Sequence, residues 1–224
     1  MEQNNFNGHD KTYTSIIHID RLEFTLKIDD FSSFTAIRNP DAIPATQKYG
    51  SIEVVLDRTI GSTAYYHSHH VYFNGKKVGR LHSASKRCKK EVEFYFEKYV
   101  LYSNEHNWWY KVYQELCKEL GLSYNNVKYV EISLDSDKSF TTEYGKMYTK
   151  SVNFIFHKVC YFKTVRNVKP EILAGGNGYR IPGENNHIHI YDKSGYAEDF
   201  ILDFLKNNGL SEKVYRIESR LNWN

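Results

Sequence analysis

Asn186-His187-Ile188-His189-Ile190-Tyr191-Asp192-Lys193 alternates polar and apolar residues with a period of two. Written as a strand, it places His187, His189 and Tyr191 on one face and Ile188 and Ile190 on the other, with Lys193 continuing the polar row. Two imidazoles, a phenol and an ammonium on one surface can bind a divalent metal and carry an oxygen nucleophile. The same alternation also describes a half-buried edge strand whose polar face is only solvated.

The segments around it decide which of these it joins. Ser15 to Ile28 reads as a long strand with His18, Asp20, Leu22 and Phe24 on one face. An acid among apolar neighbours is costly there unless it is paired or metal-bound. Residues 29–48, with Pro40 and Pro44, read as a surface connection, and residues 52–56 as a short strand. Residues 64–73 and 77–82 read as a hairpin with Asn74-Gly75 as its turn signal. Residues 91–101 alternate Val92, Phe94 and Phe96 against Glu91, Glu93, Tyr95 and Glu97, which is strand-like.

A helix follows over residues 106–120, with Trp109, Val112, Tyr113, Leu116 and Leu120 at helical spacing, Ser103 or Asn104 as cap and Gly121 as stop. Residues 127–134 read as a strand with Val130, Ile132 and Leu134 on its apolar side and Glu131, Ser133 and Asp135 on the other. Residues 151–165 suggest another strand, and Gly175 to Gly178 with Pro182-Gly183 a loop. A second helix is expected over residues 196–206, capped by Ser194, with Phe200, Ile201, Phe204 and Leu205 inward. The last strand, residues 214–221, puts Arg216, Glu218 and Arg220 on one face. The sum is an α+β protein: a largely antiparallel sheet with two main helices packed on it, in one domain over residues 14–224 after a flexible N-terminus of residues 1–13.

The totals exclude several classes. A net charge of +3 and a pI of about 8.5 announce no basic tail, yet Lys76, Lys77, Arg80, Lys86 and Arg87 bunch into a local basic surface. Tyr65, Tyr66, Tyr72 and Tyr95 near that run could stack bases while the cations track a phosphate backbone, although a solvated hairpin face has the same composition. His67, His69 and His70 suit a surface or phosphate contact better than a metal. Cys88, Cys117 and Cys160 are odd in number and lack metal-ligand spacing, as reduced thiols of a cytoplasmic protein would be. No secretion signal and no run of 18 apolar residues is present, so a soluble protein without a membrane role is expected. Neither a serine-hydrolase elbow nor a phosphate-binding Walker loop occurs.

The acids give the sharper expectation. Asp20, Glu131 with Asp135, and Glu218 each alternate with apolar residues on strands, as hard-metal ligands from neighbouring strands would, with an imidazole as a possible further ligand. Salt-bridge ladders to Arg21, Arg216 and Arg220 account for part of the same pattern.

Taken in order, Ile19-Asp20-Arg21-Leu22, residues 129–135, Ile190-Tyr191-Asp192-Lys193 and residues 215–221 resemble motifs of the rolling-circle replication initiators of plasmids and phages, the Rep-trans and gene-two-like proteins. The resemblance implies nicking of one DNA strand at an origin by a tyrosine, with a divalent metal, Mg or Mn, held by sheet carboxylates. Carried over by position, it implies Tyr191 as nucleophile, Glu131 and Glu218 as metal ligands, Asp20 or Asp135 as further ligands, and Lys193 stabilising the phosphate. His189 stands where the family often has Arg, so it is either a metal ligand or a replaced phosphate contact; Tyr129 stands for Arg and Glu131 for Asp. Lys76, Lys77, Arg80, Lys86, Arg87, Arg216 and Arg220 are the expected DNA-binding residues. The implied partners are single-stranded or origin DNA and host helicase or replication proteins, in the bacterial cytoplasm. A catalytically silent nucleic-acid-binding relative of the same fold is the alternative.

Overall fold

A computed structural model describes residues 14–29, 46–57, 65–85, 90–103, 105, 107–137, 171–172, 178–182, 186–193, 198–211 and 213–222. Eleven strands in these residues form one sheet: β1 Ser15–Ile28, β2 Thr46–Tyr49, β3 Ile52–Asp57, β4 Tyr65–Phe73, β5 Lys76–Ser85, β6 Glu91–Phe96, β7 Leu122–Ser136, β8 Glu171–Ile172, β9 Gly178–Pro182, β10 Asn186–Asp192 and β11 Tyr215–Asn222. Their order is β2-β3-β4-β5-β6-β1-β7-β11-β10-β9-β8, and every neighbouring pair is antiparallel. Among the described residues three helices accompany it, α1 Lys98–Leu101, α2 Trp108–Leu120 and α3 Asp199–Asn207. The protein is thus α+β, with an antiparallel sheet and two substantial helices, as its periodicities predict.

Local chemistry explains the elements that form as expected. Asn74 and Gly75 both take positive φ, 50° and 79°, the twist that a two-residue hairpin between right-twisted strands requires. Helix α2 buries Val112, Leu116 and Leu120 on one stripe and ends at Gly121 with φ 61°. It starts two residues later than expected, with Asn107 rather than Ser103 or Asn104 at its N-cap. Helix α3 buries Ile201, Phe204 and Leu205 and starts after Glu198; Ser194 lies outside the described residues. Strand β6 buries Val92, Phe94 and Phe96, but it stops at Phe96, and residues 98–101 turn into α1. Strands β2 and β9 occupy segments expected to be connections. Pro and Gly near them masked their short extended runs, which gain their hydrogen bonds from β3 and β10. The strand expected over residues 151–165 falls outside the described residues.

The core continues along β1, where Leu22, Phe24, Leu26 and Ile28 are buried, Phe24 meeting Tyr113 of α2 with ring centroids 5.0 Å apart. Toward its N-terminal half the same strand turns polar. His18 packs edge-on against Tyr102, just after α1, and against Phe204 of α3. Between Ile19, opposite Ile132, and Arg21, opposite Glu131, the register shifts and leaves Asp20 as an extra residue. Such a bulge bends the strand and re-aims a side chain.

Strand β7 inverts the usual rule that an apolar side faces inward. Glu131, Ser133 and Asp135 are buried, while on the opposite side Val130 is buried and Ile132 and Leu134 are half-buried. The inversion is possible because β11 supplies two arginines beside these acids, offsetting the cost of burying charge.

Two sites should report on this sheet. A Cβ added at Gly79 would lie 2.3 Å from the Tyr95 carbonyl oxygen and 2.6 Å from the Phe94 ring. Gly79→Ala should therefore destabilise the protein by about 1–3 kcal/mol in urea denaturation. Burial, helped by neighbouring His67, pushes the His69 imidazole from 6.5 down to about 4. Between these values the unfolded chain holds a proton that the folded one does not, so this contribution is complete above 6.5 and is lost as pH falls toward 4. Over that window wild type should lose up to about 3 kcal/mol more than His69→Leu, measured by denaturation at each pH.

Candidate functional site

Four adjacent strands converge on one polar cluster. Asp20 comes from the bulge of β1, Glu131 and Asp135 from β7, Arg216, Glu218 and Arg220 from β11, and His189 and Tyr191 from β10. Cross-strand register aligns them: Glu218 lies opposite His189 and Ser133, Arg216 opposite Tyr191 and Asp135, and Arg220 opposite Glu131. Positions expected on one sheet face from their period of two thus become neighbours in space.

Within this cluster Asp20, Glu131 and Glu218 each present a carboxylate oxygen, and these atoms all lie within 4.8 Å of one another. All three residues are buried, at 2%, 5% and 3% exposure. Two unit charges at such a separation repel by roughly 3 kcal/mol at an effective dielectric of about 20. Burial, followed by the neighbouring Glu218 charge, accordingly pushes the Glu131 carboxyl up, although Tyr129 and Arg220 act against this. A donor set of three hard oxygens fits a divalent cation such as Mg²⁺ or Mn²⁺.

Asp20 is held on its other side by cations. Arg216 Nη1 donates to its Oδ1 at 2.8 Å, Lys193 Nζ lies 3.8 Å from Oδ1, and Lys98 Nζ lies 3.4 Å from Oδ2. The Tyr102 hydroxyl also donates to Oδ1. Burial alone would raise this acid, but Arg216, Lys193, Tyr102 and Lys98 together hold it well below the usual carboxylate range. Asp135 does not join the trio. Arg216 grips it with a two-pronged fork, Nε to Oδ1 and Nη2 to Oδ2, both at 2.6 Å, and His18 Nε2 lies 2.8 Å from Oδ2. These contacts overcome the effect of burial and hold Asp135 down to about 2.

The Tyr191 hydroxyl donates to Glu218 Oε2 at 3.0 Å, which places the phenol against the trio. Burial and the Glu218 charge push its pKa above the ordinary value. The buried Lys193 ammonium lies 3.8 Å from Asp20 Oδ1 and donates to the Tyr102 hydroxyl at 3.5 Å. Burial and Arg216 push it down to about 8. His189 Nδ1 stands 3.9 Å from Glu218 Oε1, outside the three-carboxylate group.

The expected DNA-binding residues divide. Arg216 has no exposed surface, so it cannot present its guanidinium to DNA; it is an internal cation for Asp20 and Asp135. Arg220 is 37% exposed and reaches Glu131 Oε1 and Glu218 Oε1 through Nε, at 3.1 and 2.8 Å. Lys76 lies over the Tyr99 and Trp108 rings at 4.6 and 4.8 Å, Lys77 pairs with Glu97 at 2.7 Å, and Arg80 is half-buried opposite His70 and Tyr95. Lys86 and Arg87 lie outside the described residues. Strand β5 is three strands from β7, about 14 Å across the sheet, so the basic hairpin is not part of the carboxylate cluster.

Sequence reasoning missed Tyr102, Tyr129 and Lys98 as members of this cluster. Lys98 sits in the segment read as strand and Tyr102 just beyond its end, and neither carries a motif; Tyr129, which donates to Glu131 Oε1, stands out in the sequence only as a departure from the family pattern. In an adjoining pair Arg21 Nε donates to Glu23 Oε1 at 2.6 Å, and the Arg21 guanidinium lies 4.9 Å from the centre of the Tyr129 ring.

The two arginines of β11 should differ in their effect on stability. Arg216→Gln takes the two-pronged contact from buried Asp135 and the 2.8 Å contact from buried Asp20, and should cost roughly 3–5 kcal/mol in urea denaturation. Arg220→Gln, at a partly exposed position, should cost less than about 1 kcal/mol in the same measurement.

No family model and no curated protein matches the chain. Among solved structures, a rolling circle replication initiator protein from Geobacillus stearothermophilus is similar over 94% of this chain and 75% of its own, at 13% identity and a TM-score of 0.39.

Proposed function

We propose that this protein is a metal-dependent DNA nicking and joining enzyme that uses Tyr191 as nucleophile on single-stranded DNA. The observation that carries the reading is the contact of the Tyr191 hydroxyl with Glu218, one of three buried carboxylates drawn from three strands to within 4.8 Å. A tyrosine is a poor nucleophile at its ordinary pKa, and a carboxylate accepting its proton is a common route to activation.

In this scheme the Tyr191 oxygen attacks the scissile phosphorus. A phosphorus–oxygen bond to tyrosine forms, the bond to the 3′-oxygen breaks, and the phenolic proton passes to Glu218. The departing 3′-oxygen takes a proton from solvent, and the reverse attack by that hydroxyl rejoins the strand. A divalent cation held by Asp20, Glu131 and Glu218 would polarise the phosphate and offset the charge that builds on it. Arg216 and Tyr102 fix the Asp20 carboxylate in place for this role. Lys193 adds positive charge beside Asp20.

A second reading has its own support. Arg216, Arg220, Lys193 and Lys98 surround the acids, so the cluster is also a self-compensating ion-pair network of a non-catalytic nucleic-acid-binding protein. Incubation with Mn²⁺ and a pool of labelled single-stranded oligonucleotides separates the two. The enzyme should yield a denaturant-resistant covalent adduct with wild type that is abolished in Tyr191→Phe. Binding of DNA without an adduct on any sequence, or an adduct that persists in Tyr191→Phe, would overturn the assignment.

A further inference from the structure

Arg216 and Arg220 are four residues apart on β11, and each binds two acids of the cluster, yet their settings are opposite. Arg216 has no exposed surface and clasps Asp135 through two nitrogens while a third reaches Asp20. Arg220 is 37% exposed and contacts Glu131 and Glu218 through Nε. A guanidinium engaged by its two-pronged fork and sealed from water is fixed; one held through Nε at a solvent-facing position can leave at small cost. Moreover, Arg220 sits against the two carboxylates that Asp20 completes into the three-oxygen group. Its positive charge lies where a divalent cation would draw its ligands.

Resting on the metal-centred reading above, we propose that Arg220 is an exchangeable counter-ion. It neutralises Glu131 and Glu218 until a divalent cation takes its place, and the displaced guanidinium then turns to a phosphate oxygen of the bound strand. Two consequences follow from electrostatics alone. Arg220 competes with the metal, because both cannot lie between the same oxygens without repulsion. It also couples metal to DNA, because a cation that frees Arg220 creates a phosphate contact, and the coupling is reciprocal. Arg220 is thus an affinity-setting residue for both ligands.

The test is Mn²⁺ titration by calorimetry of wild type, Arg220→Gln and Arg220→Lys, with folding of each checked by circular dichroism. Arg220→Gln should bind Mn²⁺ roughly tenfold more tightly than wild type. Arg220→Lys, which keeps the charge, should return toward the wild-type affinity, as a packing defect would not. Unchanged or weaker Mn²⁺ binding in Arg220→Gln would overturn the competition, while measurable binding to wild type would leave the metal reading standing. Absence of Mn²⁺ binding in all three would sink the metal reading itself. The coupling is read by fluorescence anisotropy of a single-stranded oligonucleotide with Tyr191→Phe, with and without Mn²⁺. Adding Arg220→Gln should reduce the gain in DNA affinity that Mn²⁺ gives, and an undiminished gain would overturn the phosphate contact.

Discussion

The buried guanidinium of Arg216 is the contact on which the rest of this site depends. It joins three strands by charge: it is rooted in β11, forks onto Asp135 of β7 and reaches Asp20 at the bulge of β1. Buried acids without such a partner would take up protons or move to solvent. A buried ion pair is weak evidence for net stability, because desolvation consumes much of the attraction. What it fixes here is register. A slip of β11 by one residue would turn Arg216, Glu218 and Arg220 to the opposite face and leave Asp20 and Asp135 without their cation.

Around this anchor the cluster has a locked half and an open half. Tyr102, His18 and Lys193 crowd onto the Arg216 side, where Arg216 and Asp135 have no exposed surface. On the other side Glu131 and Glu218 meet the half-exposed Arg220, and Tyr191 closes against Glu218. The division suits a site in which one carboxylate must be pre-set while others respond to a ligand, since preorganised charge needs no rearrangement at the moment of reaction. The bulge at Asp20 is the backbone device that lets a strand otherwise devoted to the core deliver an acid into the cluster.

Much of the architecture was legible because its signals are local. The Asn74-Gly75 turn, the α2 stripe closed by Gly121 and the alternation of β1 and β6 each follow from backbone preference or side-chain period. Strands β2 and β9 were not legible, being short and set among Pro and Gly, with hydrogen bonds that come from partners elsewhere in the chain. Strand β7 was legible as a strand but not in its orientation. Hydrophobicity predicts the apolar side inward, and only the arginines of β11 make the acidic side the buried one. Tyr102, one of 19 tyrosines, becomes a member of the site only through the packing of α1 and α3 over His18.

The sequence by itself determined which residues could act together: a period of two puts His189 with Tyr191, Glu131 with Asp135, and Arg216 with Glu218 and Arg220 on common faces of their strands. Strand order decided the rest, because side-chain period says nothing about which strand lies beside which. Placing β11 between β7 and β10, and β1 against β7, brought Asp20, Glu131 and Glu218 together while drawing Asp135 and Arg216 into an internal pair. Charges from distant parts of the chain are resolved by distance and burial, and those are properties of the folded sheet alone.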